Sequence, residues 1–154
     1  MTWLPLLGTL VGAAIALGSS LLVERRRERK EERVERRKAK QEMYARYLAV
    51  HAEARAQLRV LSLAAELTDE ERGYRAFTAY AGCYASRYEL EVLAPRPVLT
   101  AARDFDRRAR ELRDLVIEGT HVAPRAGGHM QEYLDAMKGV HAAMRGDLGA
   151  DGVE

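Results

Sequence analysis

Sulfur chemistry is almost absent from this chain: Cys83 is its only cysteine. A single cysteine excludes an internal disulfide and any Cys-x-x-Cys metal or redox site, and a free cysteine of this kind ordinarily packs as a small apolar residue. Prolines number four, and neither Pro nor Gly occurs between Gly18 and Arg72, so nothing there breaks a helix. No segment alternates apolar and polar residues over the length of a strand. No Gly-x-Ser-x-Gly surrounds Ser19, Ser20, Ser62 or Ser86, which removes support for a serine nucleophile. Ionisable side chains are missing altogether from Trp3 to Val23, 21 consecutive positions.

That last absence ends abruptly. The next 17 residues, Glu24 to Lys40, carry fifteen charges, ten of them Lys or Arg. About 20 apolar residues match the ~30 Å hydrocarbon core of a bilayer when helical, so residues 3–23 are read as a transmembrane helix. A cleaved secretory signal needs a charged n-region and a shorter apolar stretch, and only Met1 and Thr2 precede the run. The positive-inside bias then places the C-terminal body in the cytoplasm and the N-terminus outside, a single-pass protein of the cell membrane. Gly8, Gly12, Ala16 and Ser20 recur every fourth residue. On a helix they form one shallow face where a second backbone can approach closely. The face reads as a helix-packing surface, for a homo-oligomer or for another membrane protein.

Residues 24–40 read as a charged juxtamembrane helix. Val34 and Ala39 are the only uncharged residues in it, so it lacks the apolar seam of a coiled coil. Arg27/Glu31, Glu32/Arg36 and Glu35/Lys38 have the spacing of helical ion pairs. Arg25, Arg26, Arg27, Arg29 and Lys30 lie nearest the apolar run and are the residues expected to meet lipid headgroups. The rest of the block reads as a solvated stalk. Taking its ten basic and five acidic residues from the 25 and 23 of the whole chain leaves 15 and 18, so the remainder is mildly acidic. The pI near 8.8 belongs to the block, and nucleic acid is set aside as a partner.

From Gln41 onward the chain reads as a helical bundle (41–148) with a flexible tail (149–154). The first helix becomes amphipathic at Tyr44 and continues through Tyr47, His51, Ala54, Leu58, Leu61 and Ala65. Thr68 and Glu71 form a capping-box pattern that starts a second helix. Tyr74, Phe77, Ala81, Tyr84, Tyr88 and Val92 share one of its faces, predicting the core side, with Tyr80 off that period. Pro95 and Pro97 stop it. Val98, Ala102, Phe105, Ala109, Leu112 and Val116 define a third helix, with Gly119 as its C-cap. Thr120 to Gly128 is a loop, and Met130, Tyr133, Met137, Val140, Met144 and Leu148 mark a fourth helix. The fold class is therefore all-α: a transmembrane helix continuing through a charged stalk into an antiparallel four-helix bundle. Its core is rich in Ala and Tyr.

Catalytic constellations do not assemble in the sequence. His129 and Glu132 have the spacing of half a di-iron carboxylate motif, but no second carboxylate-x-x-His pair accompanies them. His51 and His141 lie on or beside apolar faces, where a satisfied core histidine is the ordinary finding. Arg125 to Gly128 precedes a helix but lacks the spacing of a phosphate loop. Tyr74, Tyr80, Tyr84 and Tyr88 leave open an aromatic pocket between helices.

The apolar head, the run ERRRERKEERVERRKAK, the segment MYARYL, the LAPRPVL corner and the closing HAAMRGDLG together resemble the uncharacterised small single-pass membrane proteins of high-GC bacteria with a helical cytosolic domain. The resemblance implies architecture and location; no activity comes with it. The sequence thus points to a membrane-anchored, non-enzymatic interaction or scaffold module without a cofactor, whose partners are the bilayer and a protein. The alternative is a membrane-tethered small-molecule or metal-responsive sensor.

Overall fold

The computed structural model describes residues 3–122 and 128–149, with side chains from Val23 onward. Four helices carry them: α1 (Trp3–Leu61), α2 (Asp69–Leu93), α3 (Arg96–Ile117) and α4 (Gly128–Asp147). Among the described residues there is no strand. The chain divides into two compact units, residues 1–39 and 40–154.

In the first unit the backbone is helical from Trp3, and every side chain from Val23 to Ala39 is exposed. Glu32 and Arg36 approach to 3.8 Å, and Arg27 Nε donates to Glu31 Oε1 at 2.9 Å, so two of the expected helical pairs form. Among the described residues no helix is long and apolar enough to cross a membrane. The side chains of residues 3–22, where the transmembrane reading and the Gly8, Gly12, Ala16 and Ser20 face fall, lie outside that description.

The second unit is a helical bundle. From α1 it buries Met43, Tyr44, Tyr47, His51, Ala54 and Leu58, a spacing of three and four that lays one stripe along a helix. The α1 stripe stops earlier than the sequence predicts. The helix ends at Leu61 rather than running on through Ala65, and a short turn follows, with Ala64 N–H donating to Leu61 O. Arg72 reaches back from α2 to two carbonyls of this corner, Ala64 O and Leu67 O, at 3.4 and 3.3 Å. The capping box forms as expected: Thr68 Oγ1 accepts from Glu71 N–H while Glu71 Oε2 accepts from Thr68 N–H.

On α3 the predicted face is the buried face, from Val98 to Val116. Its end is closed by Gly119 at φ +81°, with Thr120 N–H donating to Leu115 O and Gly119 N–H to Val116 O. That pair of bonds is the Schellman arrangement, which needs a left-handed residue and so favours glycine. From α4 come Met130, Tyr133, Val140 and Met144. Lys40 and Tyr44 near the start of the unit meet Asp147 at the end of α4, and Tyr133 Oη donates to His51 O at 3.4 Å. These contacts make α1 and α4 antiparallel.

The α2 face is where the sequence reading fails. Its buried residues are Ala76, Tyr80, Cys83, Ser86 and Leu90, not Tyr74, Phe77, Ala81, Tyr84, Tyr88 and Val92. Space decides this. A Cβ on Gly82 would sit 3.1 Å from Val50 Cγ1 of α1, so α2 runs close against α1 at that point. The interior between the helices is already filled by Tyr47, Phe105, His51 and Tyr133. Tyr80, the tyrosine off the aromatic period, is the one that turns inward.

Candidate functional site

Two features of the bundle carry chemistry. The first is a polar cluster inside it. Tyr47 Oη donates to Asp106 Oδ1 at 2.7 Å, and His51 Nε2 lies 3.0 Å from the same oxygen. His51 Nδ1 is 2.9 Å from Tyr47 O. A carbonyl only accepts, so Nδ1 carries a proton. Mutual bonding is what permits burial, since side-chain exposures are 1% for His51 and 3% for Asp106.

Aromatic rings enclose the pair. Phe105 lies 4.9 Å from the His51 ring and 5.0 Å from Tyr133, and Tyr80 donates to the Asp106 backbone carbonyl at 3.4 Å. Burial, then the Asp106 charge, pushes the Tyr47 hydroxyl well above its ordinary range, so it stays a donor. Burial and Asp106 push the Cys83 thiol up to about 12, which leaves it protonated and a poor nucleophile. Among the described residues Asp106 Oδ2 accepts no hydrogen bond, and Arg87 Nε stands 3.9 Å from it. The cluster is buried from solvent and ties α1, α2 and α3 together. The sequence carried a signal for it: Asp106 lies four residues after Ala102 and three before Ala109, on the apolar face of α3.

The second feature is the outer face of α2. Tyr74, Phe77, Tyr84, Tyr88 and Val92 are 74, 54, 40, 65 and 79% exposed. With Ala81, also exposed, they form a stripe at steps of three and four on the side of the helix away from Ala76, Cys83 and Leu90. Arg113 of α3 supports one edge. Its guanidinium lies 4.8 Å from the Phe77 ring centroid and 5.1 Å from that of Tyr80, and it donates to Tyr84 Oη at 2.8 Å. Beside Tyr74 an open groove of about 510 Å³ separates α1 from α2, lined by Glu53, Ala56, Val60, Leu61 and Arg75 among others. The four tyrosines do not line one pocket: Tyr80 is inside, and Tyr74, Tyr84 and Tyr88 point out.

The other residues singled out in the sequence sit apart. Among the described residues no group of three His, Cys, Asp or Glu is placed to hold a metal. His129 is exposed and Glu132 accepts from Arg108 at 2.8 Å. His141 is exposed, whereas His51 is the satisfied core histidine described above. Arg25, Arg26, Arg27, Arg29 and Lys30 are exposed on the first unit. Residues 123–127, with most of the Arg125 to Gly128 segment, lie outside the described residues. No family model matches the chain, and no curated protein or solved structure is significantly similar to it.

Proposed function

We propose that this chain is a membrane-anchored, non-enzymatic interaction module whose helical bundle, on the cytoplasmic side, docks a protein through the outer face of α2. The observation that carries the reading is the aromatic stripe. A helix that is apolar on both sides is normally covered on both, and the bundle covers only the inner side of α2. Tyrosine and phenylalanine are also the residues that contribute most to protein interfaces, because each offers a large rigid surface for little lost rotamer freedom. The anchor is supported by the 21 residues without an ionisable group and the ten Lys and Arg that follow them. Arg25, Arg26, Arg27, Arg29 and Lys30 are the residues that would meet the headgroups, and Gly8, Gly12, Ala16 and Ser20 the helix-packing face.

A photo-cross-linking amino acid placed at Tyr88 of the full chain in living cells tests the docking face, with the same residue at Lys138 of α4 as reference. Protein adducts are expected from Tyr88 in the membrane fraction, retained after an alkaline carbonate wash. Equal yields at the two positions would overturn the docking reading, and recovery of the chain in the washed supernatant would overturn the anchor.

A further inference from the structure

We propose that the occupant of the α2 face is a second copy of this chain, an inference that rests on reading that face as a docking surface. Three observations on the stripe favour a like partner.

Area is the first. Taking roughly 200 Å² for a fully buried aromatic, the exposed parts of Tyr74, Phe77, Tyr84 and Tyr88 with Val92 amount to on the order of 600 Å². That is at the upper end of the ~300–600 Å² patch that a lone soluble chain shows. Two such stripes face to face cover roughly 1,200 Å², the lower edge of a specific stable interface. Copies held on one membrane gain effective concentration, so an interface of that size is sufficient.

Shape is the second. Ala81 stands seven residues from Tyr74 and seven from Tyr88, leaving a low point at the middle of the stripe between bulky ends. A second stripe laid on it, in either direction, brings Ala81 against Ala81 and sets rings on both sides of that contact. Charge is the third. The stripe from Tyr74 to Val92 contains no ionisable carboxylate or amine, so two copies meet no like charges at its centre. One flank of it carries Arg75 and Glu89 and the other Arg87 and Glu91, both signs on each side, as apposed copies need. An anionic lipid surface would instead meet Asp69, Glu70 and Glu71 at one end.

The full chain with Ala81→Cys, in its own membrane preparation, tests this by oxidation with copper phenanthroline. Cys83 is 2% exposed, so the parent serves as the blank and Lys138→Cys as a second reference. The expected result is a disulfide-linked dimer from Ala81→Cys, well above both references. Adding Tyr88→Glu should lower the yield by about tenfold or more, the effect of a charge buried in an interface hot spot. A yield that Tyr88→Glu leaves unchanged would mean random collision and would overturn the proposal. If Ala81→Cys gives no dimer while the photo-cross-linker at Tyr88 captures a different protein, the second copy is overturned and the docking face stands. If neither gives a product, both readings are overturned.

Discussion

Asp106 shows what a single carboxylate can fix inside an apolar core. Its Oδ1 accepts from Tyr47 and faces His51 on the same helix, while its backbone carbonyl accepts from Tyr80. Removing the acceptor of a buried hydrogen-bonded group leaves each of its partners unsatisfied, at about 1–3 kcal/mol apiece, whereas replacing both members with apolar residues often costs far less. Asp106→Ala leaves the Tyr47 hydroxyl and the His51 ring without their acceptor and should therefore lower the unfolding free energy in urea by about 2–6 kcal/mol, enough to leave a small bundle marginal. His51→Leu combined with Asp106→Leu should cost less than the two single changes added together. A double substitution that is fully additive would show that the pair is not coupled.

At the scale of the helix, α2 teaches why an apolar period does not identify the core. On α3 a single apolar face existed, and Val98, Phe105, Leu112 and Val116 on it are buried as the sequence predicts. The same holds for Tyr47, His51 and Leu58 on α1 and for Tyr133 and Val140 on α4. On α2 two faces competed, and hydrophobicity favoured the larger residues. The outcome was set by the distance at which α2 crosses α1, which Gly82 against Val50 makes short, and a distance between helices has no signature in one sequence. Asp106 and Arg113 were legible in principle, since both fall within the apolar period of α3. Their partners on α1 and α2 were not, because pairing across helices depends on the same unknown geometry. Alanine at the two kinds of tyrosine separates the faces. Tyr80→Ala should destabilise the bundle by about 3–5 kcal/mol, as for a large buried aromatic, and Tyr88→Ala by no more than about 0.5 kcal/mol. Chemical denaturation at low protein concentration measures both; similar losses would contradict the inward and outward assignment.

For the molecule as a whole, the bundle is closed by a clasp between the beginning and the end of its second unit. Lys40 Nζ lies 2.9 Å from Asp147 Oδ2, and Tyr44 Oη donates to the same oxygen at 2.7 Å. Burial raises the Asp147 carboxyl, but the Tyr44 hydroxyl and Lys40 outweigh it and hold the group below its ordinary value of 3.8. A carboxylate bound more tightly to its charge in the fold than in the open chain adds stability above its ordinary value. That stability is lost as pH falls through the lower value in the fold. Asp147→Asn should therefore be less stable than the parent at neutral pH, by roughly 1–2 kcal/mol for lost charged hydrogen bonds. The difference should close below pH 3.8. Thermal melts of both proteins across the acid range would show it, and a gap that persists unchanged at the lowest pH would assign the loss to packing. Cys83, finally, gives the chain its own clock. With its only thiol shut inside the bundle and protonated, alkylation waits on the core opening, so the rate at which a maleimide consumes Cys83 measures how often those helices part.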